Sequence, residues 1–111
     1  MPVNKKDDPV TEKISPTFER RIASLNKLMV VVCDFTGGPA LNPDPPHFHP
    51  HEQITYVAEG ELKFFKGDKE FHLNKGDLIT IQAGVPHCIQ TLSEHVKLID
   101  SFHPVREDFL P

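Results

Sequence analysis

Residues 45–57 read PPHFHPHEQITYV, and this stretch constrains the rest of the chain more than any other. Its three prolines rule out a helix, because proline removes a backbone donor and restricts the residue before it. The segment is therefore extended, and alternate residues of an extended chain point to the same side. Three histidines and a glutamine consequently share one face, namely His47, His49, His51 and Gln53.

Distances along an extended chain limit which of these side chains can bind one metal ion. At ~3.3 Å per residue, His47 and His49 lie ~6.6 Å apart, and two imidazoles span that gap with bonds of ~2.1 Å. Gln53 lies ~13 Å beyond His49 in a straight strand, so it needs a bend, for which Pro50 offers a place. His51 competes with Gln53 for the third position, and spacing alone leaves that choice open.

A further ligand is expected from a later strand. His87 follows the sequence QAGVP, whose Gly84 and Pro86 indicate a turn just before a strand. The alternative is that all these histidines belong to a solvated polar loop. The HxH spacing in a proline-bounded segment, with a later histidine at the start of a strand, favours metal binding.

The remainder of the chain predicts short β-strands separated by turns, with the spacing typical of a sandwich or closed barrel. With 111 residues it has the length of one domain. Residues 1–15 form a polar arm that would pair with an edge strand of this or another subunit, and residues 16–111 form the barrel, with the C-terminal tail at its mouth. The predicted strands are Phe18–Leu25, Leu28–Phe35, Gln53–Ala58, Glu61–Phe65, Lys69–Leu73, Asp77–Ile81, His87–Leu92 and Val96–Phe102.

Composition argues against several classes of protein. The formal net charge of −4 disfavours a nucleic-acid-binding surface. No stretch approaches the ~20 apolar residues of a membrane span, and the N-terminal residues lack the apolar core of a signal peptide. We therefore expect a cytoplasmic protein, in which Cys33 and Cys88 are reduced and buried.

The histidine segment and the later turn resemble the two sequence motifs of the cupin superfamily. The first motif is matched by His47, His49, Gln53 and Gly60, and the second by Gly76, Gly84 and His87. The chain departs from the pattern at the leading glycine of the first motif and at the proline and asparagine of the second, where it has Leu41, Gln82 and Thr91. The resemblance implies an all-β cupin barrel of the double-stranded β-helix, or jelly-roll, type. It also selects Gln53 over His51 as a metal ligand.

A narrower likeness covers most of the chain. The stretches HFHPHEQITYVAEGEL, GDLITIQAGVPH and DSFHPVREDFL look like the small pectin-degradation cupins, which convert 4,5-unsaturated uronate monosaccharides into linear ketonised sugars. This resemblance implies one divalent transition-metal ion (Ni, Zn, Mn or Fe) bound by His47, His49, Gln53 and His87. It also implies catalytic roles for Asp100, Phe102 and Arg106 near the C-terminus.

Strand alternation gives Asp100 separate support. Val96, Leu98, Asp100 and Phe102 alternate onto one face, so the carboxylate continues an apolar row. Desolvation in that row would raise its pKa, which suits a general acid or base near neutral pH. The alternative is an exposed Asp100 that caps the end of the strand.

Arg106 and Phe102 each have two interpretations. The planar fork of Arg106 suits bidentate binding of a sugar carboxylate, but a surface arginine would instead pair with Glu107 or Asp108. Phe102 would either wall the sugar ring or pack in the core.

Gln53 also bears on the type of reaction. With Gln53 in place of a carboxylate the ligands are all neutral, which favours polarisation of a bound oxygen over redox chemistry. Together with the resemblance, which implies a small-molecule uronate substrate, this predicts a metal-dependent, isomerase-type enzyme, and the polar arm on a small barrel predicts a dimer. The alternatives are a non-catalytic sugar- or metal-binding module and a cupin dioxygenase.

Overall fold

A computed structural model describes residues 3, 5 and 11–110 of the chain. These residues form antiparallel strands, followed by one short 3₁₀ helix, Glu107–Phe109. The strands are β1 (Glu12–Ser15), β2 (Phe18–Ser24), β3 (Met29–Phe35), β4 (Glu52–Glu59), β5 (Glu61–Lys66), β6 (Lys69–Asn74), β7 (Leu78–Ile81), β8 (His87–Thr91) and β9 (Val96–His103). No helix in the described part of the chain is long and apolar enough to cross a lipid bilayer.

The strands form two sheets that enclose one apolar core. The larger sheet has the order β1-β2-β3-β9-β4-β7, and the smaller has the order β6-β5-β8. Their inner faces bury the largest core side chains, Phe64, Met29, Leu62 and Ile81. The all-β class is therefore confirmed, whereas the two sheets are not closed into a continuous barrel within residues 11–110.

A glycine corner separates the two sheets. Gly60 joins β4 of the larger sheet to β5 of the smaller one and has a φ of +89°, which favours glycine. A Cβ at this position would lie 2.2 Å from the carbonyl oxygen of His95. Because the chain turns sharply here, the hydrogen-bond ladder of β4 does not continue into β5, and the fold is layered instead of closed.

All of the predicted strands are present, and their ends differ from the prediction by one residue at most. Strand β1 was not predicted as a separate element, and it pairs with β2 of its own chain, with Lys13 opposite Glu19. Residues 1, 2, 4 and 6–10 of the predicted arm lie outside the described residues. Pairing of the arm with a partner subunit stays a prediction.

Candidate metal centre and adjoining cavity

Backbone pairing brings the first histidine segment against the last one. Residues 40–47 run along β8, where the Asp44 N–H donates to the Ile89 carbonyl at 2.9 Å. His47 and His87 then exchange both backbone hydrogen bonds, at 3.0 and 2.9 Å. Because paired residues of an antiparallel ladder project their side chains together, the two imidazoles lie side by side, with ring centroids 4.4 Å apart.

Three histidines converge into one cluster. One ring nitrogen from each of His47, His49 and His87 lies within 4.8 Å of the other two, close enough for small side-chain rotations to let one ion contact all three. Among the residues that the structure describes, this is the one such group, and it does not include His51. His49 and His87 are buried, and His47 is exposed at the mouth of the site. The cluster is compatible with a single metal ion.

Backbone carbonyls fix the orientation of the two buried rings. His49 Nδ1 lies 3.2 Å from the His51 carbonyl oxygen, and His87 Nδ1 lies 2.8 Å from that of Val85. A carbonyl only accepts, so Nδ1 of His87 carries the proton and its Nε2 has a free lone pair. His49 faces an acceptor oxygen at both ring nitrogens, and its tautomer protonated at Nδ1 is the one whose Nε2 can bind a metal ion. Nε2 of His87 is buried without a hydrogen-bond partner among the described residues. A buried lone pair that receives no hydrogen bond fits the role of a metal ligand.

Gln53 places its side-chain oxygen next to the histidine cluster. Its Oε1 lies 3.1 Å from Nε2 of His49, and its side chain is buried. With the His49 proton on Nδ1, these two atoms are both acceptors, and two acceptors at this distance repel unless a cation lies between them. The donor set therefore fits a divalent metal ion.

Burial also keeps the histidines in the protonation state that metal ligands need. Desolvation, followed by the neighbouring rings of His87 and His49, lowers the pKa of His47 to about 4. Desolvation likewise lowers the pKa values of His49 and His87. Neutral imidazoles at pH 7 can bind a metal without first losing a proton.

A cavity of about 250 Å³ extends from the histidines into the space between the sheets. Polar side chains line it beside an apolar wall that includes Phe64 and Leu98. Six side chains singled out from the sequence lie in its lining: His47, Gln53, His87, Asp100, Phe102 and Arg106. The structure thus brings three of the four predicted metal ligands and all three predicted catalytic residues to the lining of one cavity, with His49 in contact with Gln53 of that lining.

Asp100 lies within β9 and is not an exposed cap at its end. Its Oδ1 accepts a hydrogen bond of 2.7 Å from the Thr55 hydroxyl, and its Oδ2 lies 3.7 Å from the Cys33 thiol. Burial raises the pKa of Asp100 to about 6, although both hydrogen bonds oppose that shift. A carboxyl group with this pKa can exchange a proton near neutral pH.

Arg106 pairs with Asp108, as one of its two interpretations predicted, and it also lines the cavity. Its Nη2 and Nε atoms bind the Asp108 carboxylate at 2.7 and 3.3 Å. Its side chain is nevertheless only 13% exposed and lines the cavity, with the guanidinium carbon 5.4 Å from the ring centroid of Phe102. Phe102 is likewise both a buried core residue and part of the cavity wall.

Sequence reasoning missed several groups at the site, including Thr55, Asp44, Arg20 and Phe109. The guanidinium carbons of Arg20 and Arg106 lie 4.1 and 4.2 Å from the Phe109 ring centroid. Both guanidinium groups therefore contact the Phe109 ring. A signal for Arg20 was present, because it alternates with Phe18 and Ile22 on the inward face of β2.

Comparisons with known proteins point in the same direction. A sequence model of the cupin domain matches residues 39–102. The pectin degradation protein KdgF of Dickeya dadantii (strain 3937) is 32% identical over an alignment of 106 residues that covers 94% of each chain. The structure of KdgF from Halomonas sp. is 29% identical and covers 90% of both chains with a TM-score of 0.81. An RmlC-like cupin from Shewanella frigidimarina NCIMB 400 is 28% identical and aligns over 99% of this chain and 96% of that one, with a TM-score of 0.87.

Proposed function

This chain belongs to the cupin family, and we propose that it converts 4,5-unsaturated uronate monosaccharides into linear ketonised sugars in the breakdown of pectin or alginate. The observation that carries the proposal is the convergence of a three-histidine cluster, a buried carboxyl group and an arginine on one cavity. The similarity to KdgF, a pectin degradation protein, supports this substrate class.

His47, His49, His87 and Gln53 would hold one divalent transition-metal ion. The orphaned Nε2 of His87 and the facing acceptors of His49 and Gln53 support this assignment. The bound ion would supply positive charge that polarises a carbonyl or hydroxyl oxygen of the sugar. Because Gln53 is neutral where a carboxylate would carry a negative charge, the donor set favours this role over redox chemistry.

Arg106 would bind the sugar carboxylate. Asp108 occupies the Nε and Nη2 edge of the guanidinium, so the end of the fork formed by the two Nη atoms is the edge available to a ligand. Phe102, beside Arg106, would wall the sugar ring. Together these two side chains would orient the double bond of the uronate towards Asp100.

Asp100 would move the proton in a reaction that adds and removes no atoms. As the bond between the anomeric carbon and the ring oxygen breaks, the anomeric hydroxyl loses a proton and becomes an aldehyde, and the ring oxygen becomes an enolate. The enolate then forms a ketone while the distal carbon of the former double bond gains a proton. A carboxyl group with a pKa of about 6 can take up the first proton and deliver the second.

An assay on the wild-type protein tests this function. We expect purified protein loaded with Ni²⁺, Zn²⁺, Mn²⁺ or Fe²⁺ to abolish the ultraviolet absorbance of the conjugated double bond of unsaturated galacturonate or glucuronate. Protein treated with a chelator should lose that activity and regain it with added metal. If the protein binds the uronate but does not turn it over with any of the four metals, it is a non-catalytic binding module. If turnover requires consumption of O₂, it is an oxygenase.

We also propose that the protein is a homodimer in which residues 1–15 contact the partner's sheet. β1 is the edge strand of the larger sheet, so its outer edge is open to another strand within the described residues. Deleting residues 1–11 should shift the mass measured by light scattering from dimer to monomer. An unchanged dimer mass would mean that the arm does not form the dimer contact. Leu78 is exposed on the larger sheet, and loss of the dimer in Leu78→Lys would then place the contact on that face.

A further inference from the structure

A chain of hydrogen bonds leads from the histidine cluster to Asp100 through a single hydroxyl group. Gln53 Nε2 donates to the Thr55 hydroxyl oxygen at 2.9 Å, and Thr55 donates its one hydroxyl proton to Asp100 Oδ1 at 2.7 Å. Thr55 is fully buried at 0% exposure. Since water does not reach this hydroxyl, its hydrogen bonds have no solvent substitute.

The direction of each hydrogen bond decides which end of the Gln53 amide faces the histidines. Because the Thr55 proton goes to Asp100, the Thr55 oxygen can only accept from Gln53. The amide nitrogen of Gln53 is therefore turned towards Thr55, and its oxygen is turned towards His49. With the amide reversed, an N–H group would face the histidines, and it could not bind a cation.

We propose that Thr55 is a positioning residue that sets the orientation of the Gln53 amide and thereby couples metal binding to the Asp100 carboxyl group. The inference rests on the proposed function, because it takes Gln53 as a ligand and Asp100 as the proton carrier. In this proposal, the Thr55 hydroxyl group both orients Gln53 and hydrogen-bonds to Asp100. Removing a group that hydrogen-bonds to a metal ligand and orients it typically lowers metal affinity or activity by roughly 10–100-fold.

Cys33 provides a matched control on the other oxygen of the same carboxyl group. Its thiol contacts Asp100 Oδ2 and is buried like Thr55. No hydrogen bond between Cys33 and Gln53 is present among the described residues. A change at Cys33 should therefore disturb Asp100 alone, whereas a change at Thr55 should disturb Asp100 and the metal ligand together.

Calorimetric titration of Ni²⁺ into metal-free protein separates these effects without substrate. We expect Thr55→Val, which keeps the shape of the side chain, to raise the Ni²⁺ dissociation constant roughly tenfold and to lower kcat. Thr55→Ser restores the hydroxyl and should bring both quantities back to within about threefold of wild type. Cys33→Ala should lower kcat but leave the Ni²⁺ dissociation constant within about twofold.

Two results would overturn the coupling: a folded Thr55→Val protein that binds Ni²⁺ like wild type, or a Thr55→Ser protein that is not rescued. Should Thr55→Val fail to fold, Thr55→Ala takes its place with the same expectations. Wild-type protein that binds Ni²⁺ but turns over no uronate would defeat the proposed function, while the Ni²⁺ affinities of the variants would still decide the role of Thr55.

Discussion

The two sides of the cavity are built in different ways. On the histidine side, His47 and His87 pair through their backbones, and the cluster comes from two short stretches of chain. On the acid side, Asp100 of β9 meets side chains of two flanking strands, Thr55 of β4 and Cys33 of β3. The histidine cluster can be recognised from a local sequence pattern. The contacts of Asp100 depend instead on the register of three strands that are distant in sequence.

The same physical cause acts on both sides with opposite signs. Loss of hydration disfavours the charged form of any group, so desolvation at the mouth of the site, with the neighbouring imidazoles, lowers the pKa of His47 to about 4, and burial raises that of Asp100 to about 6. Without metal, His47 and Asp100 are therefore both mostly uncharged around pH 5, whereas Arg20 and Arg106 of the same cavity keep their positive charges. This difference gives each side its own response to substitution and to pH.

The largest expected effect is the loss of metal when the histidine side is broken. His87→Ala removes a proposed ligand whose buried Nε2 has no hydrogen-bond partner among the described residues, and we expect the affinity of the variant for a divalent ion to fall by roughly 100-fold or more. Gln53→Ala should lose less, because a neutral amide oxygen is a weaker ligand. Elemental analysis after dialysis measures both.

His72→Ala is the matched control for the histidine side. His72 is exposed and pairs with Glu61 on the smaller sheet, away from the cluster. It should keep its full metal content. Loss of metal in His72→Ala, or retention in His87→Ala, would contradict the assignment of the cluster, and loss in His51→Ala without loss in Gln53→Ala would move the ligand by two residues.

Breaking the acid side should leave the metal in place and stop the chemistry. Asn at position 100 keeps a carbonyl-type oxygen that can accept from Thr55, so the orientation of Gln53 is preserved. It cannot carry a proton, and we expect Asp100→Asn to lower kcat by roughly 100-fold, with metal content unchanged. Near-normal turnover would remove Asp100 from the mechanism.

The sequence predicted the histidine side and its strands more completely than the acid side. The HxH spacing and the QAGVP turn identified all three clustered histidines, because both signals are local. Thr55 and Cys33 carry no such signal, since each is an ordinary strand residue until the register places it next to Asp100. The layered arrangement of the sheets was missed for a related reason, because alternation predicts strands but not whether their edges meet.

The opposite pKa shifts predict how stability without metal depends on pH. The pKa of His47 is lower in the folded than in the unfolded chain, so its contribution to stability is lost as pH falls from about 6.5 towards 4. The pKa of Asp100 is raised in the folded chain, so its contribution increases as pH falls through about 6 towards 3.8. In the wild type, the two contributions partly cancel.

Asp100→Asn removes one of these two opposing contributions. In the presence of a chelator, we expect its free energy of unfolding to fall between pH 7 and pH 4.5 by about 1 to 2 kcal/mol more than that of wild type. Urea unfolding at the two pH values measures this difference. Parallel curves for the two proteins would mean that Asp100 does not titrate with a raised pKa.

Arg106→Lys should affect binding more than chemistry. Lysine keeps the positive charge but loses the planar fork, so we expect KM for the uronate to rise roughly tenfold with little change in kcat. Arg21→Lys is the matched control, since Arg21 lies on the same strand as Arg20 but outside the cavity lining. An unchanged KM in Arg106→Lys would mean that the positive charge alone suffices, and an equal rise in both variants would mean that the effect is not specific to Arg106.

The smallest expected effect tests whether the aromatic ring that contacts both arginines orients them. Phe109 stacks on Arg20 and Arg106, and contacts of this kind are worth about 0.5 to 1 kcal/mol each where they are partly exposed. Phe109→Leu keeps an apolar side chain but removes the ring face, so we expect KM to rise by about twofold to fivefold with metal content unchanged. Phe48→Leu is the control, because Phe48 is 73% exposed beside the histidines. If Phe109→Leu and Phe48→Leu have the same KM as wild type, the positions of the arginines are set by Glu12 and Asp108, their carboxylate partners, and not by the ring.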